Sequence, residues 1–205
     1  MSFQSTVYRQ YTTGFPGEVA KDGPLRAKPA RIASATIGED PGKSTNRISR
    51  AFGWSAELDP TGNTIAATGA EVVVGGPRFY GVLFHSKHYA LYGTVEGGPL
   101  ASSMDLPQGA NAEFADMVIM HAEVFNHTTG AKSIAYGDAL AYVPSSITTE
   151  NNPLALPYGA LISYSGALPA GMIAIPNSRV INPVSLSASA VDALVSTYTT
   201  VQLTQ

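Results

Sequence analysis

The segment Gly38-Glu39-Asp40-Pro41-Gly42-Lys43-Ser44 carries residue types that hold phosphate groups. A phosphate loop needs a glycine, four residues and then Gly-Lys-Ser/Thr, so that successive backbone amides converge on phosphate with the lysine and hydroxyl behind them. Ile37 stands where the first glycine belongs, and Pro41 removes one of the amides. The segment therefore reads as a polar turn. His85 and His88 form H-x-x-H, but on a strand that spacing sends the two rings to opposite faces. No carboxylate or third histidine joins them, and His121 and His127 have no local partner, so no metal site is expected. Ser165 lacks the glycine two positions earlier that a nucleophile elbow requires. Carboxylates are scarce and scattered, which leaves no paired-acid hydrolase site to assemble. Asn126-His127-Thr128 fits a glycosylation acceptor by type alone. The chain is expected to be no enzyme and to take no cofactor.

The charge is distributed unevenly. Arg9, Lys21, Arg26, Lys28, Arg31, Lys43, Arg47 and Arg50 stand against four acids in the first 50 positions, a formal +4. The remaining residues carry four basic groups against eleven acidic ones, a formal −7. Such asymmetry points to an oppositely charged partner for one part of the chain. From Met1 to Ala30, Pro16, Pro24 and Pro29 each remove a backbone donor and disfavour helix, while Gly14, Gly17 and Gly23 add turns. Phe3, Val7, Tyr8, Tyr11, Phe15, Val19 and Leu25 are too many apolar groups for a linker that stays solvated. Residues 1–30 are therefore read as an extended docking arm and residues 31–205 as a single β domain. Tyrosines among basic residues can stack bases and track phosphates. A net +4 with acids interspersed is modest for that task, and the whole chain is acidic at −3. A protein surface, not nucleic acid, is the expected partner, with Arg9, Tyr11, Phe15, Arg26 and Arg31 as contact candidates. Arginine's planar fork suits carboxylates on such a surface. Arg47 and Arg50, on a regular strand, would face opposite ways, leaving one to pair inside its own subunit.

At 205 residues the chain can bury a core without staples, and with no cysteine it holds no disulfide or thiolate site. Only 13% of residues are charged. No apolar run approaches a bilayer span, and the start lacks the apolar core of a secretory leader, so a soluble, unexported protein without a membrane partner is expected. After Arg31 short apolar runs alternate with turns such as Asp59-Pro60-Thr61-Gly62-Asn63 and Gly75-Gly76-Pro77. Strands are expected at 31–37, 46–54, 71–74, 79–85, 88–95, 117–125, 133–143, 161–164, 172–175, 179–181 and 195–203. Val118, Met120, Ala122 and Val124 make one apolar face of period two, opposite His121 and Glu123. Phe114, Met117 and Val118 also fit one turn of helix, as do residues 190–196. The 184–190 stretch reads as small-residue strand or connection. Many short strands at this spacing indicate an all-β sandwich or barrel.

Four long segments carry a further signal. GFPGEVAKDGPLRAKP (14–29), NRISRAFGWSAELDPTGNT (46–64), KHYALYGTVEGGPLASSMDLPQGANAEFADM (87–117) and ALPAGMIAIPNSRVINPVSLSASA (167–190), in this order, resemble the structural cement proteins of tailed bacteriophages. The resemblance spans nearly the whole chain and involves no catalytic signature. It implies a non-enzymatic capsid decoration protein with a jelly-roll-like β body on the outside of the shell, where major capsid subunits meet. It also implies self-association, most simply as a homodimer, and a place in the virion after synthesis in the bacterial host. The alternative is a β-sandwich recognition module that binds glycans or a host surface, with Tyr158 and Tyr164 as a stacking platform.

Overall fold

The structure, a computed structural model, describes residues 16–20, 24–33, 46–54, 71–84, 106, 111–127, 132–186 and 196–204. Every regular element in them is a strand: β1 (Arg26–Ile32), β2 (Ala51–Trp54), β3 (Glu71–Val74), β4 (Phe79–Leu83), β5 (Asn111–Phe125), β6 (Lys132–Ile134), β7 (Ala139–Tyr142), β8 (Leu161–Tyr164), β9 (Ile173–Ala174), β10 (Ser178–Val180), β11 (Val184–Leu186) and β12 (Ser196–Thr204). The all-β expectation holds. Of its two forms, closure as a barrel is what the pairing gives, because the order β1-β3-β2-β4-β5 returns to β1. Only β1 and β3 run parallel in that ring.

Its interior holds Ile32, Phe52, Val72, Val74, Leu83 and Phe114, with Ile48 and Leu106 packed among them. Strand alternation sends the neighbours of these residues the other way. Ala51, Val82 and Ala115 join a second core with Val118, Met120, Ala122 and Val124 of β5, Leu140 and Tyr142 of β7, Leu161 of β8, Val180 of β10, and Val201 and Leu203 of β12. A third group covers the far face of β7 and β8, where Ala141, Val143 and Ile162 meet Leu156 and Met172. Asn152 closes the loop above it, donating to the Leu156 carbonyl and accepting the Leu156 N–H, both at 2.9 Å.

β5 is the strand both main cores share. Met117 pairs with Arg26 of β1 and with Thr204 of β12, so those strands occupy opposite edges of β5. The register with β1 slips between Ala115 and Met117, and Asp116 sits in that irregularity. A close contact inside the barrel also anchors the second half. Gly53 and Gly76 touch backbone to backbone, and a Cβ on Gly53 would lie 2.5 Å from the Gly76 carbonyl oxygen. Tyr142 then donates its hydroxyl to that same carbonyl at 2.7 Å.

Several expectations are corrected. The short helix at Phe114 to Val118 is strand, because β5 is paired on both edges there. The run 133–143 is two strands in two different sheets, separated by a turn in which Gly137 takes φ 89°. The stretch 184–190, by contrast, does begin as strand, β11 paired to β6, and its residues 187–190 lie outside the described residues. Strand 88–95 and the helical alternative over 190–195 lie outside the described residues.

Candidate docking site

Two described stretches of the basic N-terminal segment, residues 16–20 and 24–32, run along the body. Gly17 donates its N–H to the His121 carbonyl (2.7 Å), His121 donates to Glu18 (2.8 Å) and Ala20 donates to Ile119 (2.8 Å). Residues 119–121 pair with β12 on their other edge, so this stretch and β1 lie on the same side of β5. β1 continues antiparallel from Arg26 opposite Met117 to Arg31 opposite Asn111. Residues 16–20 and 24–32 thus form a strap along β5. The last five residues of the segment read as arm, Arg26 to Ala30, are strand in the sheet.

Asp116 fastens the strap. Its side chain is 3% exposed and receives a bidentate grip from Arg26, Nε at 2.7 Å and Nη2 at 2.9 Å, together with Lys28 Nζ at 2.7 Å. Lys28 also lies 4.4 Å from the centroid of the Tyr80 ring, whose hydroxyl donates to the Pro29 carbonyl at 2.9 Å. Trp54 and Tyr80 pack in a T-shaped pair with centroids 4.7 Å apart. Burial alone raises the Asp116 pKa, but the hydrogen bonds and charges of Arg26 and Lys28 outweigh it and hold the carboxyl below its ordinary range. A lysine beside a buried carboxyl invites comparison with amide-bond formation. That step needs a neutral amine and a protonated acid, and the Arg26 fork holds this acid ionised. The arrangement binds a strand.

A second ionic group lies at the far end of β5. Arg50 Nη2 is 3.7 Å and Arg47 Nε 4.0 Å from one oxygen of the buried Glu123, whose other oxygen accepts from the Ser196 hydroxyl at 2.8 Å. The guanidinium of Arg50 lies 4.5 Å from the centroid of the Phe125 ring. Arg47 and Arg50 therefore converge on one carboxylate where a strand would have separated them. The reason is local: residues 46–49 form a turn in which Ser49 takes φ 71°, and the Ser49 hydroxyl accepts the N–H of Glu123 at 2.8 Å.

Of the contact candidates, Arg26 is committed to Asp116, and Arg31 remains 57% exposed with Glu71 at 4.0 Å. Arg9, Tyr11 and Phe15 lie outside the described residues, as do the 38–44 segment, His85 and His88. The structure brings Arg26 together with Lys28, Tyr80 and Asp116, none of which the sequence singled out as partners. One signal was present: Asp116 is an acid inside an apolar run, at the point where the alternation of β5 changes phase. Tyr158 and Tyr164 are half-buried and pack against the cores. Asn126 is buried, which removes it as a glycosylation acceptor. Among the described residues no group of three or more acids and histidines could hold a metal, and no helix is long and apolar enough to cross a membrane.

A family model described as structural cement protein (E217 gp24/Pam3 gp6), of phages, matches residues 3–202. The chain belongs to the phage structural cement proteins. Its role is that of a capsid cement or decoration protein. A chain from the structure titled "The capsid of Myoviridae Phage XM1" is similar over 99% of this cement protein and 98% of its own length, with a TM-score of 0.50 and 14% identity. At that identity the likeness concerns the fold. No curated protein sequence matches.

Proposed function

We propose that this cement protein binds the outer surface of an icosahedral phage shell, bridges neighbouring major capsid subunits and stabilises the mature head, acting as a homodimer and without catalysis. The observation that carries the reading is the family match over residues 3–202. The strap supports it, because Pro16 and Gly17 seated on β5 fix where residues 1–15 join the body. Arg9, Tyr11 and Phe15 in that segment, with the exposed Arg31, are the proposed contacts. Once the body is docked, such a segment adds contacts at little further translational cost. Because β1 is part of the barrel, the docking arm proper is assigned to residues 1–15.

The test compares full-length protein with a version lacking residues 1–15 in cosedimentation with expanded, empty shells. The truncation is expected to weaken binding by roughly tenfold or more and to leave the urea midpoint unchanged. Undiminished binding overturns the arm's role. A molar mass in solution of one chain, rather than two, overturns the dimer.

A further inference from the structure

We propose that Asp116, gripped by Arg26 and Lys28, is the latch of a releasable strap, and that unlatching frees residues 16–20 and 24–29 from β5 while the body stays folded. The mechanism stands on the strap's own geometry. Its consequence for docking rests on the reading of residues 1–15 given above.

The strap is held by polar contacts almost alone. Among its described residues from Glu18 to Pro29 no side chain is buried, and its two large apolar groups turn outward, Val19 at 40% and Leu25 at 51% exposure. Pro24 and Pro29 contribute no N–H to the ladder. Among the described residues β1 acquires its second neighbour, β3, only at Arg31 and Ile32, and the strand before them is bonded on one edge alone. Ala30 and Ile32, by contrast, are buried in the barrel interior. They supply the hinge. At the far end only Pro16 and Gly17 are buried, and they are small contacts. Between hinge and end, the ladder to β5, the Tyr80 hydroxyl on the Pro29 carbonyl and the Asp116 grip hold the segment. A one-sided ladder with few apolar contacts belongs to the low-stability end of a fold, where local opening precedes global unfolding. The ionic grip, which buries its carboxylate, is then the component that decides the population of the open state.

Release lengthens the tether to residues 1–15. The chain from 16 to 29, fourteen residues at ~3.3 Å each, adds roughly 46 Å of reach. The latched state holds the docking segment near one site at high effective concentration, and the unlatched state lets it search further at a lower one.

Hydrogen exchange followed by mass spectrometry on the isolated full-length protein tests the latch without any shell. In Asp116→Asn, amides of 16–30 are expected to exchange on the order of 100-fold faster, while 118–124 and 196–204 keep wild-type protection. Arg26→Gln, which leaves Lys28 on the carboxylate, is expected to open the same segment to a smaller extent. Glu123→Gln, which removes a different buried carboxylate, is expected to leave the strap closed. Unchanged strap exchange in both Asp116→Asn and Arg26→Gln, or strap and β12 amides accelerating together, overturns the proposal. Failure of the docking reading would appear separately, as absent shell binding by protein whose strap exchange behaves as described.

Discussion

Asp116 is ionised in the fold because two cations outweigh its burial, and this fixes the sign of its effect with pH. Among the described residues the groups facing it are Arg26, Lys28 and Tyr80. A carboxyl whose folded pKa lies below its unfolded value of about 3.9 contributes stability above that value and loses it as pH falls through the folded pKa. The gap in urea midpoint between wild type and Asp116→Asn is therefore expected to be constant from about pH 8 to 5 and to narrow below about pH 4. A gap still full at about pH 2 would show that the carboxylate is not its source. The second ionic group gives a different contrast. Arg50 is buried beside Glu123, whereas the Arg47 side chain is 38% exposed at 4.0 Å. Arg50→Ala is expected to cost roughly 3 kcal/mol, since it strands a buried charge. Arg47→Ala is expected to cost less than about 1 kcal/mol. Equal losses in urea titrations would contradict this division.

At the scale of elements, β5 makes two cores into one cooperative unit. Phe114 fills the barrel from its first half and Met120 the second core from its other half. The single tryptophan, Trp54, packs on the barrel core and reports that region alone. Met120→Ala, expected to cost roughly 3 kcal/mol, should shift the Trp54 fluorescence transition as far as the far-UV circular dichroism transition. A Trp54 transition left in place would mean that the halves unfold separately. The same strand shows what was legible beforehand. Val118 to Val124 could be read because one face is apolar at strict period two and stays in phase. The residues before it could not, since the irregularity at Asp116 shifts that phase and puts Phe114, Met117 and Val118 at a helix-like spacing. Arg47 and Arg50 were misplaced for a related reason: the positive φ of Ser49 is invisible to a rule that assumes extended backbone. Composition alone marks residues 1–30 as a segment that docks on some surface. That residues 16–20 and 24–32 dock on their own β5 was not readable, because their outward Val19 and Leu25 resemble contacts with another chain, and Asp116, which receives Arg26 and Lys28, is 90 positions from Arg26.

At the scale of the whole molecule, the proposed function requires the protein to bind the assembled shell and not its separated subunits. Such binding stabilises the assembled state by RT ln(1 + [L]/Kd) per site, about 2.7 kcal/mol when the free protein is at 100 times Kd. The gain comes from occupancy, so it continues to grow with concentration after the sites are nearly full. Each further tenfold rise in free cement protein is expected to add about 1.4 kcal/mol per site to shell stability. The measurement is the temperature at which empty shells lose their icosahedral scattering, taken over a dilution series of free protein above saturation. A midpoint climbing linearly with the logarithm of concentration is the expected outcome. The version lacking residues 1–15 should give a parallel line displaced to higher concentration, because truncation raises Kd and leaves the linkage slope intact. A midpoint that stops rising at saturation would instead mean that the protein also binds dissociated subunits with comparable affinity, and that stabilisation by mass action on the lattice is the wrong account.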